Sequence, residues 1–137
     1  MAVAEAALTA EDRRAIDDLL SAYALRLDVD DIDGASALFA EDGEFETYGH
    51  VFAGRARILR MFASAPKGLH LAGRSTVTPS ADGADARMQL VFFPADSAPR
   101  RLAVYDVRVA RSGDGNWVIR RMECRFMNGE GILATEP

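Results

Sequence analysis

The sequence predicts an α+β domain, in which helices come first along the chain and antiparallel strands follow. Apolar residues recur at helical spacing three times in the first half. The second half alternates apolar and polar residues in runs that turn sequences separate. We therefore expect three N-terminal helices packed on a strongly curved, mostly antiparallel sheet, with four to five strands wrapped around the first helix. Such a sheet leaves an apolar cavity against the helices, which suits a small ligand.

The first helix begins at Thr9, where Thr9 and Asp12 form the pattern of a capping box. Its buried stripe is predicted from apolar residues at helical spacing, which are Ile16, Leu19, Leu20, Tyr23, Ala24 and Leu27. Tyr23 lies on this stripe. Asp28 follows Ala24 by four residues and therefore faces nearly the same way at the C-terminal end of the helix.

Two shorter helices and a strand are predicted next. Asp31 or Asp33 caps a short second helix that extends to Phe39. Residues 44–48 alternate like a strand, and a third helix follows Gly54. The remaining strands are predicted at residues 69–79, 86–93, 101–111 and 117–127, with hairpin turns at residues 81–83 and 112–116. We expect one domain over residues 9–128, a flexible tail at 1–8 and a C-terminal tail at 129–137.

Composition excludes several classes of partner and cofactor. The net charge of −5, with acids and arginines interspersed, argues against nucleic acid. No run approaches the roughly 18 apolar residues that a membrane helix needs, and the N-terminus does not have the pattern of a signal peptide. The single Cys124 excludes an internal disulfide and fits a cytoplasmic location. His50 and His70, the two histidines, lack metal-ligand spacing, and nucleotide motifs are absent, so we expect no metal and no cofactor.

A series of motifs then carries a family resemblance. In order they are Tyr-x-x-x-x-Asp, Ala-Leu-Phe-Ala-Glu-Asp-Gly, Phe-x-Gly-Arg, Leu-His-Leu-Ala-Gly and Gly-Asp-Gly-Asn-Trp-Val-Ile. The order resembles the SnoaL-like branch of the nuclear-transport-factor-2-like superfamily over residues 9–128. The resemblance implies an NTF2-like cone and a homo-oligomer, a dimer or trimer. This superfamily includes dehydratases, isomerases, polyketide cyclases and non-enzymatic binders, so fold alone does not decide activity.

Within that branch the motifs are most similar to scytalone dehydratase and the bile-acid 7α-dehydratases. The resemblance implies catalytic roles for Tyr23, Asp28, Tyr48 and His70. Those enzymes place a further polar residue, His or Asp, some two dozen positions after the strand histidine. Here that stretch is apolar and reads Val-Phe-Phe-Pro-Ala at residues 91–95.

Elimination or isomerisation beside a carbonyl needs a base for the α-proton and a donor for the enolate oxygen. Asp28 would orient the His70 ring, His70 would move the proton, and Tyr48 or Tyr23 would donate to the oxygen. Ketosteroid isomerase uses similar logic, with an Asp base in an apolar cavity. Without that role, Asp28 is a solvated helix terminus and His70 a core or rim histidine with a satisfied hydrogen bond.

Four further residues are candidates for contact with the substrate. Asp106 interrupts an apolar strand face, where it either pairs with an arginine such as Arg108 or supplies an acid to the pocket. Arg74 shares a strand face with His70 by period two and is a candidate for binding an anionic group. Phe62 of the third helix and Phe93 are expected in the apolar wall.

The sequence thus supports two main hypotheses about function, in which the partner is a hydrophobic small molecule. The first is a cofactor-independent dehydratase or ketosteroid-isomerase-like isomerase that acts on a cyclic or aromatic carbonyl compound. The second is a non-catalytic NTF2-like module that binds a small ligand or oligomerises. A small subunit of a ring-hydroxylating oxygenase is a third alternative.

Overall fold

The computed structural model describes residues 7–128 and 131–132. Most of the two predicted tails therefore lies outside the described residues, and β8 is the described part of the second. Within these ranges the chain forms three helices and eight strands. They are α1 (Ala10–Asp28), α2 (Ile32–Ser36), β1 (Phe39–Thr47), β2 (His50–Ala53), α3 (Arg55–Ser64), β3 (Gly68–Ala72), β4 (Thr76–Ser80), β5 (Gly83–Pro94), β6 (Arg101–Arg111), β7 (Trp117–Asn128) and β8 (Gly131–Ile132).

The helices differ from the expected set of three, because only α1 and α3 are long. The capping box of Thr9 and Asp12 starts α1 as predicted. Asp31 caps α2, which has only five residues and ends at Ser36. The second helix does not reach Phe39 as predicted, because the Phe39 side chain is fully buried and its backbone pairs with β7 from the start of β1.

The sheet is open and mixed, with the strand order β2-β1-β7-β6-β5-β3. Its described strands pair antiparallel except β1 and β7, which run parallel. The predicted run 69–79 is divided into β3 and β4, which both pair with the same side of β5. This division and the short strands β2 and β8 explain why more strands form than the four or five expected. The hairpins at residues 81–83 and 112–116 are confirmed.

The core lies between α1 and the concave face of the sheet. The buried stripe of α1 is as predicted from Ile16 to Ala24. Tyr23 packs against Phe39 of β1 and Tyr105 of β6, with ring centroids 6.5 and 5.9 Å apart. Aromatic side chains interlocked in this way fix the distance between α1 and the sheet. In the part of the chain that the structure describes, no helix is long and apolar enough to cross a membrane.

Candidate active site

A cavity of about 260 Å³ lies between the three helices and the concave face of the sheet. Its wall is mainly apolar, with rings from α3 and from strands β1, β5 and β7, which are Phe62, Phe45, Phe92 and Phe126. Polar side chains reach the cavity at a few points, which are Tyr23, Thr47, Tyr48, Ser64, Lys67, His70, Arg101 and Tyr105. An apolar cavity with a few convergent polar groups is the usual form of a small-molecule site.

Asp28 and His70 meet at the edge of this cavity. One carboxylate oxygen of Asp28 accepts the backbone N–H of His70 at 2.8 Å and lies 2.8 Å from the ring Nδ1. Both side chains are largely shielded, at 13% and 15% exposure. A carboxylate can only accept at this contact, so Nδ1 carries the proton and Nε2 remains the basic nitrogen of the neutral ring. Within the described residues Nε2 has no hydrogen-bond partner.

The fold explains why two residues so distant in sequence come together. Asp28 is the last residue of α1, and His70 is the central residue of β3. Strand β3 ends the path of the sheet and pairs with β5 on one side only. One row of its backbone groups therefore lacks a strand partner, and the Asp28 carboxylate accepts the N–H of His70 in that row.

Two tyrosines form the buried end of the cavity. Tyr23 lies beside His70, with ring centroids 6.4 Å apart, and Tyr105 lies beyond Tyr23. Burial raises the pKa of the Tyr23 phenol well above its usual value, and the nearby Asp28 carboxylate raises it further. Burial also raises the pKa of the Tyr105 phenol. Both hydroxyls therefore stay protonated at neutral pH and are able to donate hydrogen bonds.

Tyr48 lies at the mouth of the cavity and not at its buried end. It occupies the two-residue turn Tyr48-Gly49 between β1 and β2, where φ is 52° and 76°. Two positive φ angles are typical of a type I′ hairpin turn, which disfavours a residue as large as Tyr. The Tyr48 ring stacks on Phe126 with centroids 4.6 Å apart, and the side chain is 40% exposed.

Of the remaining candidates, one lines the cavity and the others do not. Phe62 is buried in the cavity wall, as expected. Phe93 points to the opposite face of β5 and is 41% exposed, while its neighbour Phe92 lines the cavity. Arg74 lies in the exposed segment after β3, because the strand ends at Ala72 and the alternation does not continue.

Asp106 lies on the outer face of the sheet and not in the cavity. Its carboxylate pairs with Arg87 at 2.7 Å and with Arg125. Burial alone would raise the pKa of Asp106, but the hydrogen bonds and charges of the two arginines hold it below its usual value. Of the two alternatives, pairing with an arginine is therefore the observed one, although the partner is not Arg108.

Several cavity residues are absent from the sequence-predicted set, and three of them bear on the chemistry, which are Phe92, Arg101 and Tyr105. The sequence does not distinguish Phe92 from Phe93, because the stretch around them is continuously apolar and hides the alternation. Arg101 and Tyr105 share the concave face of β6 with Ala103, two residues apart each time. Period two along β6 was the available signal for both.

Within the described residues, no group of three or more His, Cys, Asp or Glu side chains is arranged to hold a metal ion. A cavity with an Asp–His pair, buried phenol donors and apolar walls can carry out proton transfer with its own side chains.

Proteins of known structure that share this fold include the following three. A nuclear-transport-factor-2-like protein with a cystatin-like fold from Novosphingobium aromaticivorans is 29% identical over 87% of this chain and 84% of its own, with a TM-score of 0.77. A candidate scytalone dehydratase from the same organism is 22% identical over 93% of each chain, with a TM-score of 0.73. A hexachlorocyclohexane dehydrochlorinase from Novosphingobium barchaimii is 20% identical over 90% of this chain and 91% of its own, with a TM-score of 0.75.

A search of curated proteins finds no match to the sequence. The family profile of the SnoaL-like domain, in contrast, matches residues 8–123. That range includes both members of the Asp28–His70 pair and most of the sheet. The chain therefore belongs to the SnoaL-like domain family of the nuclear-transport-factor-2-like superfamily.

Proposed function

We propose that the protein is a cofactor-independent lyase or isomerase that moves a proton beside the carbonyl of a small cyclic or aromatic compound. The observation that supports this most directly is the Asp28–His70 contact at the edge of an apolar cavity. An imidazole that a carboxylate holds in one tautomer can accept a proton near neutral pH and return it.

In the proposed reaction, His70 Nε2 removes the proton on the carbon next to the substrate carbonyl. The electron pair of the broken C–H bond moves to the carbonyl oxygen and forms an enolate. Asp28 stabilises the imidazolium that results. In a dehydration, the enolate then re-forms the carbonyl and expels a β-hydroxyl, which leaves as water with the proton from His70. In an isomerisation, His70 returns the proton to another carbon.

The enolate oxygen needs donors that do not lose their own protons. Tyr23 and Tyr105 meet this requirement, because burial keeps both phenols protonated. The dehydratase resemblance implies a further polar residue on the strand next to His70. Here the β5 side chain that lines the cavity at that place is the apolar Phe92. We propose that the Tyr105 hydroxyl, on strand β6, supplies the missing polar group.

The cavity limits the substrate in size and polarity. At about 260 Å³ it lies just below the usual range for drug-sized ligands, which favours one or two rings. Aromatic walls suit an apolar ring and exclude water, which strengthens hydrogen bonds to the developing charge. Two of the compared structures bear the names of elimination enzymes, a dehydratase and a dehydrochlorinase, which is consistent with this class of reaction.

One observation favours a second candidate, a non-catalytic module that binds an apolar ligand. The position that faces His70 across the strand pair is Phe92, an apolar residue. In that case the cavity would bind ketones without exchanging their protons. Activity therefore has to be measured separately from binding.

Exchange of α-protons for deuterium tests the proposal without knowledge of the natural substrate. Small cyclic ketones such as 4-chromanone are incubated with the protein in D₂O, and the α-proton signal is followed by NMR. We expect catalysed exchange that falls about 100-fold or more in His70→Asn, which keeps a donor for Asp28 but lacks the base. His50→Asn is the matched control, because His50 is exposed and lies outside the cavity.

Exchange that His50→Asn retains and His70→Asn loses would support the proposed chemistry. If the wild type binds these ketones but exchanges their protons no faster than buffer does, the binding role replaces the catalytic one.

A further inference from the structure

Arg101 is a cationic side chain in the wall of a mainly apolar cavity. It begins β6 and shares its concave face with Ala103 and Tyr105. Its recorded hydrogen bond goes from Nη1 to the Tyr48 hydroxyl, at 3.4 Å. Among the described residues it forms no ion pair, whereas Arg121 on the neighbouring strand pairs with glutamate.

The lack of an acidic partner distinguishes Arg101 from the other cation at the cavity. Lys67 also lines the mouth, but its amine is 2.8 Å from the carboxylate of Asp30 and is well exposed. A guanidinium in a partly buried wall is stabilised by an opposite charge, and within the described residues that charge is missing. A bound anion would supply it.

Arg101 stands at a defined distance from the base. In the sheet, Phe92 of β5 lies opposite His70 of β3 on one side and opposite Arg101 of β6 on the other. All three side chains line the cavity. Neighbouring strands are about 4.8 Å apart, so the backbones of His70 and Arg101 are roughly 10 Å apart across the Phe92 ring. One small ligand can reach both residues.

We propose that the substrate carries a carboxylate, which Arg101 and Tyr48 bind at the mouth while the carbonyl lies beside His70. This inference rests on the proposed function for the reacting end and adds the recognition of the other end. A single guanidinium fits a monoanion in a two-point contact and would leave a phosphate dianion only partly neutralised. The substrate class is therefore a one- or two-ring keto acid.

The arrangement also accounts for the unusual turn at Tyr48. A type I′ turn favours Asn or Asp at its first position, and Tyr there has an unfavourable positive φ. Stacking on Phe126 and the contact with Arg101 hold the ring at the mouth. The Tyr48 hydroxyl is thus in place to donate to the same carboxylate.

The test compares 4-oxochroman-2-carboxylate with its neutral carboxamide, which has nearly the same shape. Binding of each is measured by titration calorimetry, and deuterium exchange at the carbon between the two groups is measured by NMR. We expect the wild type to bind the carboxylate roughly tenfold or more tightly than the amide. Arg101→Gln should abolish the preference, Arg101→Lys should keep part of it, and Tyr48→Phe should reduce it.

Arg100→Gln is the matched control, because it removes the same charge from the adjacent exposed residue outside the cavity. It should keep the full preference for the carboxylate. Equal affinity for acid and amide, or no binding of either, would overturn the carboxylate site. A preference equally weakened in Arg100→Gln would also overturn it, because general attraction would then explain the result.

The two proposals fail in different ways. If acid and amide bind equally but His70-dependent exchange persists, the chemistry stands and the carboxylate site falls. If the acid is preferred through Arg101 but no exchange occurs, the site stands as a binding site and the proposed reaction falls.

Discussion

One carboxylate oxygen of Asp28 holds His70 at two points, the backbone N–H and the ring Nδ1, each at 2.8 Å. The first contact fixes the position of β3 against the end of α1. The second fixes the tautomer and the orientation of the ring. Both contacts need only one acceptor oxygen. Replacing the carboxylate by a neutral group of the same shape therefore changes the charge beside the base while both contacts can remain.

Asp28→Asn is expected to lower the proton-exchange rate by about 100-fold or more, with a smaller effect on ligand binding. The Asn side chain has nearly the same shape, and its carbonyl oxygen can still accept from both the backbone N–H and Nδ1 of His70. It carries no charge, however, and so cannot stabilise the imidazolium that forms during the reaction. The measurement is the deuterium-exchange rate of a bound cyclic ketone. Asp18→Asn on the exposed face of α1 removes the same charge and should leave the rate unchanged.

Should Asp28→Asn exchange protons as fast as Asp18→Asn, the carboxylate serves only to attach β3 to α1. In that case the unfolding free energy would fall in Asp28→Asn while the exchange rate of the folded fraction stays the same.

The two buried phenols give a second prediction. Tyr23→Phe and Tyr105→Phe should each lower kcat by roughly 10- to 100-fold, since each removes a donor to the enolate oxygen. KM should change little, because the transition state carries the charge and the ground state does not. Tyr48→Phe at the mouth should instead raise KM. Full kinetics of the three variants measure the difference, and a rise in KM alone for Tyr105→Phe would place Tyr105 outside the reaction.

The fold was predictable where local patterns are strong. The capping box and apolar stripe of α1 fix a long helix, and the turn residues between β6 and β7 fix their hairpin. The sequence predicts Phe39 at the end of the second helix, because the residues after the capping aspartate show no strand alternation. Its strand conformation comes from pairing with β7, some eighty residues away, which local pattern does not contain.

Prediction of the candidate site was limited in the same way, because its residues come together only in the folded chain. Asp28 and His70 were predictable as a pair only through the family resemblance, since 42 residues separate them. Phe92 and Phe93 are both apolar, so only the register of β5 decides which one faces the cavity. Arg101 follows the alternation of β6, but a cation at the end of a strand is usually solvated. Its role in the proposed site follows from its position in the cavity wall, which the sequence alone does not give.

The outer face of the sheet gives a prediction about stability and pH. Asp106 lies between Arg87 and Arg125 at 26% exposure, and its pKa is lowered. A lowered folded-state pKa contributes stability above the unfolded value of about 3.9, and this stability is lost as pH falls through the folded value. The free energy of unfolding of Asp106→Asn should therefore be about 1 kcal/mol lower than that of the wild type at pH 7.

Urea unfolding from pH 7 down to pH 2.5 measures this difference, which should shrink below about pH 4 as the wild-type carboxylate is protonated. Asp82→Asn in the exposed turn between β4 and β5 is the control and should be neutral throughout. A difference that is the same at both ends of the pH range would mean that shape, and not charge, explains the effect.

The thiol of Cys124 reports on the polarity of the cavity wall. Burial raises its pKa to about 11, and the hydroxyls of Tyr105 and Thr47 and the charge of Arg101 offset only part of this. At pH 8 the thiolate fraction is then more than about 100-fold below that of an ordinary cysteine, so iodoacetamide should react correspondingly slowly. The rate should rise about tenfold per pH unit from 8 to 10. Labelling in urea is the control, where the rate should match that of free cysteine. A folded-state rate that levels off near pH 8.5 would show that water fills the cavity and solvates the thiolate, which would also weaken the case for enolate chemistry beside it.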